Sequence, residues 1–261
     1  MPNHVSTNLV ITGPKLDVER FVNAVSQDPD NTFNFQSVHP MPEALVGTSA
    51  PAKIQTAEEI AALWDAYNTL KAEGKLDAYS LTEAKPWGIG ITKEQYDALM
   101  AEHGSADWYS WCNTNWGTKW GAYDATGWDI ADGDNGTATA TIGYQTAWSP
   151  ATEFFLFASA KYPTLSFWQQ VADEGGGFVG EQTFETGDVN EIFFDWNSKE
   201  GKETREALGL ATEEVDVLVL PEPGGDGEAL VDPATDGNTL VTELRPDDTK
   251  VVPLPFGTYR N

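Results

Sequence analysis

Apolar and polar residues alternate from the start of the chain. Val5, Thr7, Leu9 and Ile11 fall on one side, and Ser6, Asn8, Val10 and Thr12 on the other. That period-two pattern predicts a half-buried strand. Gly13-Pro14 ends the run, and Val18, Phe21, Val22 and Val25 then recur at i, i+3, i+4 and i+7, the apolar stripe of an amphipathic helix. The Asp28-Pro29-Asp30-Asn31 cluster reads as a turn. Thr32–Val38, with Phe33 and Phe35 on one face, reads as a second strand.

From Pro40 the period changes. Thr56 to Glu59 forms a Thr-x-x-Glu capping box, opening a helix with Ile60, Leu63, Trp64, Tyr67 and Leu70 on one face and Gly74 past its end. Thr92 to Gln95 is a second box, before Tyr96, Leu99 and Met100, with Gly104 as the stop. Residues 49–128 are therefore expected to be a helical, Trp-rich insertion. Strand character returns near Trp128, where the turn from Ala131 to Gly136 precedes Thr137, Thr139 and Thr141, alternating with Ala138, Ala140 and Ile142. Ser149 as cap and Pro150 as first residue predict a helix carrying Phe154, Phe155, Phe157 and Ala158, which stops before Pro163. Leu165–Asp173, the Glu174–Gly177 turn and Phe178–Glu185 predict a hairpin. Ile192–Trp196 adds a strand, and Thr204–Leu208 a short helix before Gly209.

The charge constrains the partners. With 41 acidic against 15 basic residues the formal charge is −26. Such a field repels nucleic acid and anionic membranes, because phosphate binding depends on Lys and Arg displacing counterions. It leaves solubility, cation binding, or mimicry of a phosphate backbone toward a basic protein. Much of the charge is local: between Glu213 and Lys250 eleven acids face only Arg245 and Lys250. Residues 210–261 are thus expected to be an acidic extension with β character. Its Asp226, Glu228, Asp232 and Asp236 are the candidate surface for a basic partner.

The densest aromatic signal is Trp108, Trp111, Trp116, Trp120 and Trp128, with Tyr109, Tyr123, Asn113, Asn115 and Lys119 interleaved. Aromatic faces beside amides can stack a planar ligand such as a nucleotide and bond its edge. Trp111, Asn115, Trp116, Lys119, Trp120 and Trp148 are the candidate patch. The competing reading is an aromatic core, since Trp111 and Cys112 also suit a buried helix face.

Catalytic and metal signals are weaker. Asp132-x-Asp134-x-Gly136 begins like a calcium loop, yet Gly143 stands where a bidentate Glu belongs, so a hairpin turn is expected. Asp173, Glu174 and Glu181 flank the glycine-rich turn and are the candidates for an acid-only hydrolase. Cys112 is the single cysteine and no Gly-x-Ser-x-Gly elbow occurs, so neither a disulfide nor a familiar nucleophile is expected. His4 and His39 fall near the ends of the first two predicted strands, but two imidazoles do not make a zinc site. Pro2, next to the initiator Met, is a conceivable amine nucleophile but equally a simple strand start. No metal and no cofactor is expected.

Several words together resemble one family: Met1-Pro2-Asn3-His4-Val5 with Leu9-x-Ile11-x-Gly13, then Phe35-x-x-Val38-x-Pro40-x-Pro42-x-x-Leu45. Trp111-x-x-x-Asn115-Trp116-Gly117-Thr118-Lys119-Trp120, Tyr144 to Ala151, and Asp173-Glu174-Gly175-Gly176 follow in order. Across residues 1–48 and 105–185 the chain resembles the YubB ferredoxin-like domain family, encoded by phages and conjugative plasmids and of unknown function. The resemblance implies an α+β, ferredoxin-like βαββαβ sandwich, with residues 1–48 and 129–209 as its core, and supplies no catalytic residues. It implies a mobile-element protein in the cytoplasm of a bacterial host; Met1–Thr12 lacks a secretory leader pattern. The expectation is a non-catalytic binder, a DNA-mimicking inhibitor of a host defence complex, or else a small-ligand binder using the tryptophan patch.

Overall fold

Val5, Thr7, Leu9 and Ile11 are buried on β1 (His4–Pro14), and their polar neighbours are not, as the alternation requires. The computed structural model describes residues 3–27, 32–74 and 89–210, all within the unit Met1–Glu214. After β1 come α1 (Lys15–Val25), α2 (Ala57–Ala72), α3 (Lys93–His103), α4 (Trp108–Asn115), β2 (Asp129–Asp132) and β3 (Thr137–Ala147). Then follow α5 (Thr152–Lys161), β4 (Ser166–Asp173), β5 (Val179–Glu185), β6 (Asp188–Phe193) and α6 (Lys199–Ala207).

The strands form one antiparallel sheet in the order β2-β3-β1-β4-β5-β6. β1 sits between β3 and β4, pairing Leu9 with Ile142 on one side and with Gln169 on the other. The path β1-α1-β2-β3-α5-β4 is therefore ferredoxin-like and α+β, with β5 and β6 added beside β4. Helices α2, α3 and α4 lie in the long connection between α1 and β2.

One face of the sheet is sealed by α1 and α5. Phe21 of α1 meets Phe167 edge-on at 5.1 Å, and Phe155 of α5 lies 5.4 Å from Phe184. A polar chain threads the same layer. Tyr144 Oη donates to Gln169 Oε1, Gln169 Nε2 to Gln182 Oε1, and Gln182 Nε2 to Thr152 Oγ1 and Glu191 Oε2, all at 2.7–3.0 Å. Burying two glutamines is tolerable because each amide is satisfied by the next strand. On the opposite face Asn8 Nδ2 donates to Ala207 O at 3.0 Å, which holds α6 across β1.

Several local expectations change. Thr32–Val38 is not a strand: Asn34 Oδ1 accepts from Gln36 N at 2.9 Å and turns Phe35–Ser37 into a short 3₁₀ helix. Phe33 and Phe35 are still buried. The strand that completes the first β-α-β crossover is β2, beyond the helical connection. Ser149 does not cap α5, whose N-cap is Ala151 without a side-chain bond; its hydroxyl donates to Gly117 O instead. β6 is Asp188–Phe193 rather than Ile192–Trp196, and α6 starts at Lys199, capped by Ser198. Both capping boxes form, at Thr56 and Thr92. The apolar face predicted for α2 is poorly covered, since none of its residues is buried and Leu63 and Leu70 are exposed. The Ala131–Gly136 turn joins β2 to β3, with Asn135 and Gly136 at φ 56° and 77°, the left-handed pair that tight hairpins favour. Pro2, the Asp28–Asn31 turn, and Asp226, Glu228, Asp232 and Asp236 with the rest of the acidic extension lie outside the described residues.

Candidate functional site

α4 is fixed at its start by Asp107. Its Oδ1 accepts from Ser110 N at 2.8 Å, and its Oδ2 from Ala52 N at 3.1 Å. Thr48 Oγ1 accepts from Trp108 N at 2.9 Å. A buried carboxylate and a buried hydroxyl thus tie the helix to the segment before α2. At the other end Trp116 Nε1 donates to His39 O at 2.9 Å, and Gly117 turns the chain at φ 78°. Thr118 Oγ1 then donates to Ala147 O at 2.9 Å, and Tyr123 exchanges both backbone bonds with Gln145 at 2.9–3.0 Å. These contacts hang residues 117–123 along the edge of β3.

Between that strap and the 3₁₀ turn at Phe35 lies a groove of about 540 Å³. Phe35, Met41, Trp108, Trp116, Trp120 and Tyr123 supply its apolar and aromatic walls; His4, Asn34 and Gln36 supply its polar atoms. Phe35 is immobilised from behind by Phe154, stacked at 3.9 Å and 11°. The size and the mix of aromatic walls with few polar groups are those of a small-molecule site.

The polar end of the groove has a defined proton order. His4 Nδ1 lies 2.7 Å from Tyr123 Oη, and Tyr123 Oη lies 3.0 Å from Thr146 O. A carbonyl only accepts, so the single phenolic proton goes to Thr146. With that proton on Thr146, the His4–Tyr123 bond has His4 Nδ1–H as its donor and the phenolic oxygen as its acceptor. Burial, with the charges of Asp124 and Glu174, pushes the Tyr123 hydroxyl up to about 12, so it keeps its proton. Cys112, also on the groove wall, is pushed up to about 12 by burial and by Asp107, so its sulfur is a neutral thiol.

The structure separates the residues grouped from sequence. Trp111 and Trp116 are core, 4% and 3% exposed, packed edge-to-face at 5.4 Å; Trp116 also lines the groove. Asn113 and Asn115 direct their amide nitrogens to the carbonyls of Tyr109 and Trp111, one helical turn back, and neither lines the groove. Lys119 Nζ stands 4.4 Å from the Trp120 ring centroid, and Trp120 is a groove wall. Trp148 is outside the groove, half-exposed, at φ 73°. It follows Ala147, the register partner of His4. Trp128 is held by Thr32 O, 2.9 Å from its indole nitrogen.

The acids of the glycine-rich turn do not converge either. Asp173 Oδ2 accepts from Gly177 N at 3.0 Å, Glu174 Oε1 from His4 N at 2.8 Å, and Glu181 Oε1 from Gln170 Nε2 at 3.2 Å. His4 and His39 serve different surroundings, the first paired with Tyr123 and the second stacked on Phe157 at 3.8 Å. Among the described residues no group of three or more His, Cys, Asp or Glu is arranged to hold a metal ion, and no helix is long and apolar enough to cross a membrane. His4, Asn34, Gln36 and Met41 were missed as site residues because nothing in their spacing relates them to Trp108–Tyr123. Only the hydrogen bond of His4 to a residue 119 positions away makes the association visible.

A search of curated proteins gives no match. Among solved structures, the chain is similar to protein api92 from Yersinia pseudotuberculosis at 11% identity and a TM-score of 0.35, over 74% of this chain and 98% of that one. Residues 127–217 match a family model described as the ferredoxin-like domain in Api92-like protein. That stretch holds β2 to β6, α5 and α6, whereas the central strand β1 comes from residues before it. By comparison, then, residues 127–217 are similar to the ferredoxin-like domain of Api92-like proteins.

Proposed function

We propose that the chain is a non-catalytic binding protein whose ligand enters the groove between Phe35 and Trp120. The observation that carries this reading is the groove itself, about 540 Å³ with preformed aromatic walls. Its polar end is ordered by the His4–Tyr123–Thr146 chain before any ligand arrives, and preorganised groups lose little freedom on binding. The neutral thiol of Cys112 supports binding over nucleophilic chemistry. A fragment screen by NMR tests the reading. Small aromatic and aliphatic fragments should shift the indole signals of Trp120 and Trp108, and Trp120→Ala should remove those shifts while the fold persists. Trp116→Ala instead should cost about 3–5 kcal/mol of stability, as for other large core aromatics. Fragment shifts scattered over the surface, or unchanged by Trp120→Ala, would overturn the assignment.

A second reading is favoured by the charge of −26. In it, Asp226, Glu228, Asp232 and Asp236 form a surface that imitates the phosphates of DNA and blocks a basic host protein. The resemblance to the YubB family adds the expectation of a phage or plasmid origin and a cytoplasmic site of action. An acid-only hydrolase is the least supported reading, given the divergent partners of Asp173, Glu174 and Glu181.

A further inference from the structure

The groove has an electrostatic character that narrows its ligand. Among the described residues that line it, none is Lys, Arg, Asp or Glu. Formal charge therefore reaches the cavity only from residues set back from its walls. On the Tyr123 side these are the carboxylates of Asp124, adjacent in sequence, and Glu174, whose Oε1 accepts from His4 N at 2.8 Å. The walls themselves are ring systems, whose faces are negative and whose edges are positive. On the Trp120 side the set-back charge is Lys119, whose Nζ sits 4.4 Å from the Trp120 centroid and already engages that ring, so the rings left to a ligand are those of Phe35, Trp108, Trp116 and Tyr123.

We propose that the groove takes a small organic cation, an alkylated ammonium compound, seated against the aromatic walls with Asp124 and Glu174 supplying the negative field. This rests on the groove being the binding site, and it names the ligand class. Three observations support it. The rings of Phe35, Trp108, Trp116, Trp120 and Tyr123 surround one cavity of small-molecule size. An alkylated ammonium has weakly hydrated, positive methyl surfaces, which suit several ring faces at once. Near the polar end the two carboxylates of Asp124 and Glu174, the latter bonded to His4 N, outnumber the one ammonium, that of Lys119 at the Trp120 ring. The wider charge of −26 acts in the same direction, attracting cations and repelling phosphate-bearing ligands. A planar anionic ligand such as a nucleotide, by contrast, would need a basic group to meet its phosphates; none of the described lining residues is basic, and the ammonium of Lys119 beside the wall is engaged by the Trp120 ring.

Calorimetry with the full chain tests the class using choline and its uncharged carbon isostere, dimethylbutanol, which has nearly the same shape. Choline should bind about tenfold more tightly than the alcohol, the gain expected of a partly desolvated cation against aromatic rings. Asp124→Asn is the informative variant. Asp124 sits at φ 50°, a conformation asparagine adopts readily, so the backbone is kept while one charge is lost. It should weaken choline several-fold and leave the alcohol unchanged. Equal binding of the two probes overturns the cation class but leaves the groove as the site. If neither probe binds while fragments still shift Trp120, the class is again overturned. If the fragments also fail to reach Trp120, it is the groove reading that falls. A trimethyllysine peptide that binds where choline does not would overturn the small-molecule source.

Discussion

The imidazole of His39 stacks on Phe157 at 3.8 Å and tilts against Trp111, with Lys161 nearby, its Nζ 2.9 Å from Val38 O. Burial lowers the His39 pKa and the Lys161 charge acts in the same direction, against the side chain of Asn115. A histidine whose folded pKa is depressed binds fewer protons in the native state than in the unfolded chain. Its contribution is therefore intact above its unfolded value, near 6.5, and is lost as the pH falls from there through the lowered folded value. The thermal midpoint should drop between about pH 7 and pH 5.5. His39→Phe, which keeps the stack and the backbone carbonyl used by Trp116, should flatten that part of the profile. An unchanged slope in the variant would show that other groups cause it. At the same scale Asn34 explains the missing strand: its side chain takes the Gln36 amide that a neighbouring strand would otherwise have used. Phe33 and Phe35 carry the alternation of a strand without the ladder of one.

Among elements, the sheet is registered by polar as well as apolar contacts. Gln169 and Gln182 are direct partners on β4 and β5, and Gln182 faces Glu191 on β6. Gln182→Leu would leave the Gln169 amide nitrogen without its acceptor and take a donor from Thr152 Oγ1, and should cost about 1–3 kcal/mol. Adding Gln169→Leu should cost less than the sum, with a coupling of about 1 kcal/mol in a double-mutant cycle by urea unfolding. Strict additivity would mean that the chain of amides is not cooperative. α1, the two capping boxes and the β4–β5 hairpin were legible in the sequence because each depends on residues within a few positions of one another. The end of α5 nearest the groove was not. Its predicted cap, Ser149, bonds Gly117 because the tertiary fold brings that carbonyl within reach.

At the scale of the whole molecule, charge and topology are independent. If the acidic extension recognises a basic host protein, the pair should co-purify at low salt and separate at about 0.5 M salt, where screening shortens to a few ångströms. Reversing Asp226, Glu228, Asp232 and Asp236 to lysine should then abolish co-purification without altering fragment binding in the groove. A partner retained after reversal would remove the mimicry and leave the charge as a matter of solubility.

The sequence by itself determined the local periods, the caps, the net charge and the α+β class, since these follow from side-chain chemistry summed along the chain. The resemblance supplied the ferredoxin-like name. Only the tertiary structure decided which strand completes the first crossover, because β1 and β2 are separated by the four helices α1 to α4 and meet only through β3. It likewise decided which tryptophans are core and which line a groove. Trp111, Trp116 and Trp120 share one composition and one stretch of chain. What distinguishes them is what distant segments bring: His39 packs on Trp111 and Phe35 on Trp116, whereas Trp120 borders the groove that Phe35 and His4 help to line.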